Sequence, residues 1–172
     1  MNKILLYLCI FVMFVSSPTL AREFAKNGKL IIVSIADQKV YAIENAVLVR
    51  KSSVVTGKPI AGYRTPTGNY TVLMTKNYHK FISPVSKNDP RWYAPSNSYG
   101  AVKFGNLLYI HDADEWRNCY GIACKKNYLV DGSHGCINVS RVFAQWLVSW
   151  TPIGTPVTII SESMNSYLRY QL

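Results

Sequence analysis

The sequence has few histidines and no long apolar run, and both features limit the classes of protein to which the chain can belong. Its 172 residues include three histidines, so imidazole chemistry must use His79, His111 or His134. The longest apolar run, residues 4–15, covers about 12 residues, short of the roughly 20 that span a bilayer. The chain has no repeat, low-complexity segment or block of five positive charges. A globular protein with one domain is therefore expected.

The first 21 residues have the three parts of a secretory signal peptide. Lys3 precedes the apolar run, and small residues at Thr19 and Ala21 suit cleavage after position 21. Retention of the run as a membrane anchor is the alternative, which its length disfavours. We expect residues 1–21 to be removed and 22–28 to form a short N-terminal segment. The protein would then be exported to the periplasm or cell wall, with membrane contact for export alone.

Acidic residues are also scarce. Nine Asp and Glu stand against 19 Lys and Arg, which gives a net charge of +10 at pH 7. A basic exported protein is attracted to anionic surfaces such as cell-wall polymers, anionic lipid or nucleic acid. Nucleic acid is not expected as a partner, because export removes the usual target and no helix-turn-helix, zinc-finger or RNA-binding motif occurs.

Most of the mature chain has the pattern of short strands. Three strands are predicted between residues 29 and 55, with turns at 36–38 and 44–46, and further strands at 71–75, 101–104, 106–112 and 156–160. Residues 56–70 are rich in Gly, Pro and Thr and predict a loop. Residues 76–99 predict a long irregular region that lines a functional surface.

One segment has a strong helical pattern. Residues 139–150 carry apolar side chains on one helical face. Ser140 or Asn138 would cap the N-terminus of this helix, and Thr151-Pro152 ends the pattern. Residues 161–172 form a polar C-terminal tail that is expected to fray. Short strands with one helix predict a mainly β domain over residues 29–160, either a sandwich or a partly open barrel.

Removal of the signal peptide also removes Cys9 and leaves an odd number of cysteines. Cys119 and Cys124 are separated by four residues, so a disulfide between them is the simplest assignment in an oxidising compartment. Both could instead stay free or pair elsewhere. A zinc site that adds Cys136 and His134 is a third reading, although the spacings match no familiar zinc motif. The disulfide would leave Cys136 as the free thiol.

The stretch DGSHGCINVS, residues 131–140, favours a nucleophile over an inert buried thiol at Cys136. Gly135 allows a close approach of the backbone to a substrate, and the amides of Gly135 and Cys136 could face a developing oxyanion. The thiol also precedes the helix predicted to begin near Val139, and the positive end of a helix favours a thiolate.

A cysteine nucleophile needs a base. His79 lies in a polar segment and is expected to be solvated. His134 is two residues from Cys136, a poor geometry for taking its proton, and is expected to shape or polarise the oxyanion site. His111 ends a predicted strand and is the expected base, with a group at Asp112 holding its useful tautomer.

These residues resemble the signature of the L,D-transpeptidase catalytic domain (YkuD domain) family. That signature is a histidine, an intervening segment and then Ser/Thr-His-Gly-Cys-hydrophobic-Asn, here His111 followed by residues 133–138, SHGCIN. Residues 29–58 are similar to the opening strands of the family, and RTPTGNY, residues 64–70, resembles its Thr-Pro-x-Gly turn. The resemblance extends from about residue 29 to residue 160.

The resemblance implies a β-sandwich-like fold with one principal helix after the cysteine, and an enzyme that acts on peptidoglycan stem peptides. Cys136 would form a thioester with the diaminopimelate or lysine acyl group of a tetrapeptide stem and release D-Ala. His111 would act as base and then as acid, oriented by the backbone carbonyl of Asp112. The oxyanion and substrate site would include Ser133, His134, Gly135 and Asn138.

The acceptor of the acyl group stays open at this point. The side-chain amine of a second stem would give a 3-3 crosslink, a wall-attached protein would become anchored, and water would make the protein an L,D-carboxypeptidase. The resemblance implies no metal and no organic cofactor.

Two features depart from the family pattern. The segment between His111 and Ser133 is longer than usual and contains Cys119 and Cys124. We expect an inserted loop that is closed by their disulfide beside the active site. Asp112 stands where the family often has Gly or Ser, and its carboxylate is expected to raise the pKa of His111.

Two other functions compete with acyl transfer on peptidoglycan. A non-catalytic wall-binding module would use the basic surface and the aromatic residues Trp92, Tyr93 and Tyr99. An exported cysteine peptidase with L,L specificity would use the same thiol, but the SHGC context disfavours it. An adduct on Cys136 after incubation with muropeptides or a carbapenem would separate the enzyme from the binder.

Overall fold

A computed structural model describes residues 28–124 and 127–171. The predicted signal peptide and residues 22–27 lie outside the described residues. The strands are β1 (Lys29–Ser34), β2 (Lys39–Glu44), β3 (Val47–Ser53), β4 (Gly68–Thr71), β5 (Met74–Lys76), β6 (His79–Phe81), β7 (Ser96–Ser98), β8 (Ala101–Gly105), β9 (Leu108–Asp112), β10 (Ile137–Val139) and β11 (Pro156–Ile160). The helices are α1 (Tyr128–Asp131), α2 (Arg141–Trp150) and α3 (Met164–Gln171).

A five-stranded sheet has the order β3-β2-β1-β11-β4, in which β1 and β11 run parallel. The three predicted opening strands and both of their turns are confirmed. Ile31 and Val33 of β1 face the main core, whereas Leu30 and Ile32 face a second buried cluster. Residues 30–33 of β1 are all apolar because the strand is covered on both faces.

Helix α3 covers that second face. Met164 and Tyr167, three positions apart and thus on one helical face, pack against the cluster of Leu30, Ile32, Ile43 and Ile160. The Met164 amide donates to Asp37 Oδ2 over 2.8 Å. The expectation of a frayed tail is therefore wrong for residues 164–171, because apolar side chains at helical spacing dock this otherwise polar segment.

A four-stranded sheet has the order β10-β9-β8-β5, and helix α2 packs against it through Phe143, Ala144 and Leu147. The helix begins at Arg141, where Ser140 Oγ caps the Phe143 amide. Ser140 is one of the two caps that the sequence predicted, but Val139 is not helical as expected, since residues 137–139 form strand β10. A strand therefore separates Cys136 from the helix N-terminus, and the proposed stabilisation of its thiolate by that helix has no support.

The region 76–99 contains a two-stranded sheet formed by β6 and β7, so it is less irregular than predicted. The predicted strand at 71–75 is divided between β4 and β5, which join different sheets. Within residues 28–124 and 127–171, no helix combines the length and the hydropathy that a membrane span requires.

Candidate active site

Parallel pairing of β9 and β10 brings the sequence-predicted residues together. Ile137 lies opposite Ile110, and Asn138 lies opposite His111. Both isoleucines point into the main core. Because side chains alternate along a strand, Cys136, Asn138 and His111 point to the opposite face. That face lines a cleft of about 830 Å³.

Hydrogen bonds fix the tautomer of His111, whose ring is buried. Its Nδ1 lies 2.8 Å from the backbone oxygen of Asp112. A carbonyl only accepts, so Nδ1 carries the proton and Nε2 has the lone pair. Asn138 Nδ2 donates to that Nε2 over 3.1 Å. The lone pair of the imidazole thus accepts the Asn138 amide and faces the segment that carries the cysteine.

Burial sets the protonation state of this imidazole. It lowers the pKa of His111 from 6.5 to about 4, against smaller raising effects of the Asp112 backbone and carboxylate. The expected raising effect of the carboxylate exists, but desolvation of the charged ring outweighs it. At neutral pH the ring is neutral and can accept a proton.

The Asp112 carboxylate holds the end of β9. It is fully buried and accepts hydrogen bonds from the Ser98 hydroxyl and the Tyr99 amide. Arg141 Nε, at the start of α2, lies 3.2 Å from its Oδ2. These contacts connect β9, β7 and α2 directly behind the imidazole, and they satisfy a carboxylate that would be costly to bury alone.

Cys136 is the free cysteine of the described residues. Its Sγ lies 3.5 Å from the Leu107 carbonyl oxygen. Burial raises the pKa of this thiol from 9.0 to about 11, although the Tyr109 backbone lowers it in part. The group is a thiol at neutral pH, so attack on a substrate requires removal of its proton.

The loop before the cysteine is held by hydroxyl groups. Thr65 Oγ1 donates to the Gly135 oxygen over 2.8 Å and accepts from the Gly57 amide. Ser133 Oγ accepts from the Gly135 amide and donates to the Cys136 oxygen. Gly135 has a φ of +113°, a conformation that side-chain-bearing residues rarely adopt.

These contacts reduce the number of backbone amides that could bind an oxyanion. The Gly135 amide is engaged by Ser133 and does not face the cleft freely. Among the described residues, the amides of His134 and Cys136 donate to no backbone or side-chain acceptor. They are the two backbone donors of this loop that a substrate oxygen can use.

His134 lies on the wall of the cleft. Its ring is tilted against Tyr63 at 4.7 Å and stacked on Tyr93 at 5.5 Å, measured between centroids. No hydrogen bond joins it to Cys136 within the described part of the chain. His79, expected in solvent, is instead half-buried and stacks on Tyr109 at 5.1 Å. The segment 79–96 thus lines the cleft, as its sequence predicted.

The segment between His111 and Ser133 lies beside this cleft. Cys119 and Cys124 form a disulfide, as the sequence predicted. The Gly121 amide donates to the Val54 oxygen over 2.9 Å, which ties the loop to the end of β3. Nearby, the Trp116 ring lies 6.2 Å from the His111 ring. No group of three or more potential metal ligands occurs in the residues that the structure describes.

Sequence reasoning missed three site residues. Thr65 stood in a recognised turn, but its contact with Gly135 bridges 70 positions. Trp116 and Arg117 line the cleft from the inserted loop. Trp116 and Arg117 belong to no recognisable motif. The one indication in the sequence is that both lie in a segment that departs from the family pattern.

The sequence model of the L,D-transpeptidase catalytic domain matches residues 28–159. The chain belongs to this family. A probable L,D-transpeptidase 3 of Mycobacterium tuberculosis is 33% identical over 100 residues, which are 56% of this chain and 34% of that protein. The chain therefore spans about a third of this curated relative.

Solved L,D-transpeptidases share the fold. The crystal structure of an Enterococcus faecium L,D-transpeptidase mutant gives a TM-score of 0.66 at 23% identity, over 77% of this chain and 50% of that one. Mycobacterium tuberculosis L,D-transpeptidase 3 with a faropenem-derived adduct gives 0.63 at 26% identity, over 78% and 60%. The predicted mainly β, sandwich-like L,D-transpeptidase fold is confirmed.

Proposed function

We propose that this chain is an exported peptidoglycan L,D-transpeptidase with Cys136 as its nucleophile. One observation carries the proposal: a free thiol directly before β10 and an imidazole with a defined tautomer on the adjacent parallel strand β9 line one cleft. Membership of the family and its cell-wall chemistry support the substrate class, the stem peptides of peptidoglycan.

Acylation begins when a tetrapeptide stem brings the carbonyl carbon of its third residue to Cys136 Sγ. The thiol leaves the Leu107 carbonyl, Asn138 Nδ2 leaves His111 Nε2, and the thiol proton passes to that Nε2 as the C–S bond forms. The proton at Nδ1, held by the Asp112 carbonyl, stabilises the imidazolium. The amides of His134 and Cys136 stabilise the oxyanion.

Collapse of this intermediate breaks the L,D peptide bond. His111 returns its proton to the leaving nitrogen, D-Ala departs, and a thioester remains on Cys136. An amine of a second stem then attacks the thioester, while His111 Nε2 takes a proton from that amine and the Cys136 sulfur accepts it on departure. The product is a 3-3 crosslink with the enzyme regenerated.

Mass spectrometry tests the proposal. A disaccharide-tetrapeptide substrate should give a dimer and free D-Ala, and faropenem should add one acyl group to Cys136. Cys136→Ala should lose both reactions, and His111→Gln should slow both at least about 100-fold through loss of the base. Binding to cell walls without any adduct in the wild type would instead favour a wall-binding module.

The products also identify the acceptor. Tripeptide without dimer would assign an L,D-carboxypeptidase with water as acceptor. Attachment of a lysine-containing wall protein at the expense of dimer would assign protein anchoring. Both outcomes keep Cys136 as nucleophile and contradict only the crosslinking step.

A further inference from the structure

One segment of the chain holds the start of the nucleophile loop. The loop is residues 133–136, whose amides include the proposed oxyanion donors, and the segment that holds it is residues 54–58. The Ser133 amide donates to the Thr56 oxygen over 3.0 Å, and the Ser133 oxygen accepts from the Lys58 amide over 3.1 Å. Ser133 is therefore fixed by this segment on both sides of its peptide unit.

The same segment also holds the rest of the nucleophile loop. Just after the loop, Val55 and Asn138 exchange two backbone hydrogen bonds of 2.9 Å each. In the middle of the loop, the Gly135 oxygen accepts from Thr65 Oγ1, which itself accepts from the Gly57 amide. A shift of residues 54–58 would therefore displace the start, the middle and the end of the loop together.

Gln38, in the turn between β1 and β2, holds this segment from inside the protein. The residue is fully buried. Its Oε1 accepts from the Thr56 amide over 3.0 Å, and its Nε2 donates to Thr56 Oγ1 and to the Ile35 oxygen over 2.8 Å each. The backbone oxygen of Gln38 also accepts from the Val54 amide over 2.9 Å. Gln38 therefore binds residues 54 and 56 with both its side chain and its backbone.

The backbone of Gln38 indicates that this side chain is needed at its position. Gln38 has a φ of +48°, in the left-handed region that glycine and asparagine adopt most easily. A glycine there would relieve the backbone but would leave the buried Thr56 amide and hydroxyl without their partner, which is costly. A strained backbone together with a fully paired buried side chain points to a functional role for that side chain.

We propose that Gln38 is a positioning residue for the oxyanion donors of the nucleophile loop. Through Thr56 it keeps the amides of His134 and Cys136 where they can donate to an oxyanion, although Gln38 itself touches no substrate. The inference rests on the proposed function, since an oxyanion forms only when Cys136 attacks a carbonyl carbon. A misplaced donor weakens a hydrogen bond that is strongest in the transition state, so the loss should fall on kcat more than on KM.

Two reactions of Cys136 separate this role from general support of the fold. Acylation by faropenem passes through a tetrahedral oxyanion, whereas alkylation by iodoacetamide displaces iodide at a saturated carbon and forms no oxyanion. Both rates are measured by intact mass at one pH. Gln38→Met keeps the length of the side chain but loses its hydrogen bonds to Thr56. The variant should acylate about tenfold or more slower than the wild type and alkylate within about twofold of it.

Steady-state kinetics give a second readout. With a tetrapeptide donor, Gln38→Met should lower kcat for D-Ala release by a similar factor and leave KM nearly unchanged. Gln145→Met, the same substitution at an exposed position of α2, is the matched control and should react like the wild type. Equal slowing of acylation and alkylation, or no slowing of acylation, would overturn the proposal.

A double-mutant cycle tests the route through Thr56. Thr56→Val removes the hydroxyl that accepts from Gln38 Nε2, whereas Thr56→Ser keeps it and should retain most of the acylation rate. If the two residues act as one unit, Gln38→Met combined with Thr56→Val should acylate within about twofold of the slower single variant. Multiplication of the two single effects would show that Gln38 does not act through Thr56, and would overturn the proposal.

Two further comparisons keep the test decisive. If Gln38→Met fails to fold, the ratio of acylation to alkylation in Thr56→Val and Thr56→Ser decides, since equal ratios in the two variants would exclude the proposal. The wild type reports the proposed function separately. A wild type that forms the faropenem adduct, with an unchanged ratio in Gln38→Met, would refute the positioning role alone, whereas absence of both the adduct and D-Ala release in the wild type would refute the proposed function.

Discussion

At the scale of single residues, the two reacting groups are uncharged at neutral pH. The pKa of Cys136 is raised to about 11 and that of His111 is lowered to about 4, both by burial. A thiolate–imidazolium pair would need the opposite shifts. In the proposed mechanism the proton therefore moves when a substrate arrives, by general base catalysis.

Alkylation of the free protein should follow that raised thiol pKa. We expect the rate of iodoacetamide addition to Cys136, measured by intact mass, to keep rising between pH 7 and 10. The urea-unfolded protein is the control, because its alkylation rate should level off above the ordinary thiol pKa of 9.0. His111→Gln should leave the alkylation profile nearly unchanged. A plateau below pH 8 in the native protein would instead indicate a preformed ion pair.

Thr65 is the residue-scale support of the nucleophile loop. Thr65→Val keeps the shape but leaves the buried Gly57 amide and the Gly135 oxygen without this partner. The free energy of unfolding in urea should fall by about 1–3 kcal/mol, and faropenem acylation should slow. Thr65→Ser, which keeps the hydroxyl, is the matched control. Equal behaviour of the Val and Ser variants would show that the hydroxyl does not hold the loop.

At the scale of elements, short strands and tails were the hardest to predict. Short β-branched and partly alternating runs, separated by two tight turns, predicted β1 to β3 within residues 29–55. Residues 137–139 fit a helix as well as a strand in sequence, and only pairing with β9, 27 positions away, decides between them. Helix α3 likewise exists because Met164 and Tyr167 find a buried cluster, which no local pattern reveals.

The inserted loop is an element whose disulfide should matter locally. Removing both cysteines in a Cys119→Ser/Cys124→Ser variant frees a loop of only a few residues, so the free energy of unfolding should fall by about 2 kcal/mol or less. The larger effect should be a raised KM for the donor stem, since Trp116 and Arg117 lose their support. Tyr120→Phe, which loses a hydrogen bond to Asp114 but keeps the disulfide, is a milder comparison. An unchanged KM in the double variant would show that the loop keeps its shape without the bond.

At the scale of the whole molecule, the fold class followed from the strand pattern and the family signature. The roles assigned to Cys136, His111 and Asp112 remain predictions. The structure brings Cys136 and His111 to one cleft and the Asp112 carbonyl to the His111 ring. Two spatial features could not be predicted from the sequence. One is the hydrogen bond of the Gly135 amide to Ser133, and the other is the cavity beside the inserted loop. These depend on side chains that meet across strands and loops distant in sequence.

Both reacting groups should make the stability of the whole molecule depend on pH. The folded pKa of His111 is about 4 against an ordinary 6.5, so the unfolded chain binds the extra proton as pH falls through this window and stability is lost, by up to about 3 kcal/mol. The folded pKa of Cys136 is about 11 against 9.0, so the unfolded chain releases its proton first and stability is lost as pH rises from 9. Urea unfolding between pH 4 and 10 should thus show a maximum near neutrality. His111→Gln should flatten the acid side and Cys136→Ser the alkaline side, whereas slopes identical to the wild type in both variants would show that neither group is desolvated in the folded protein.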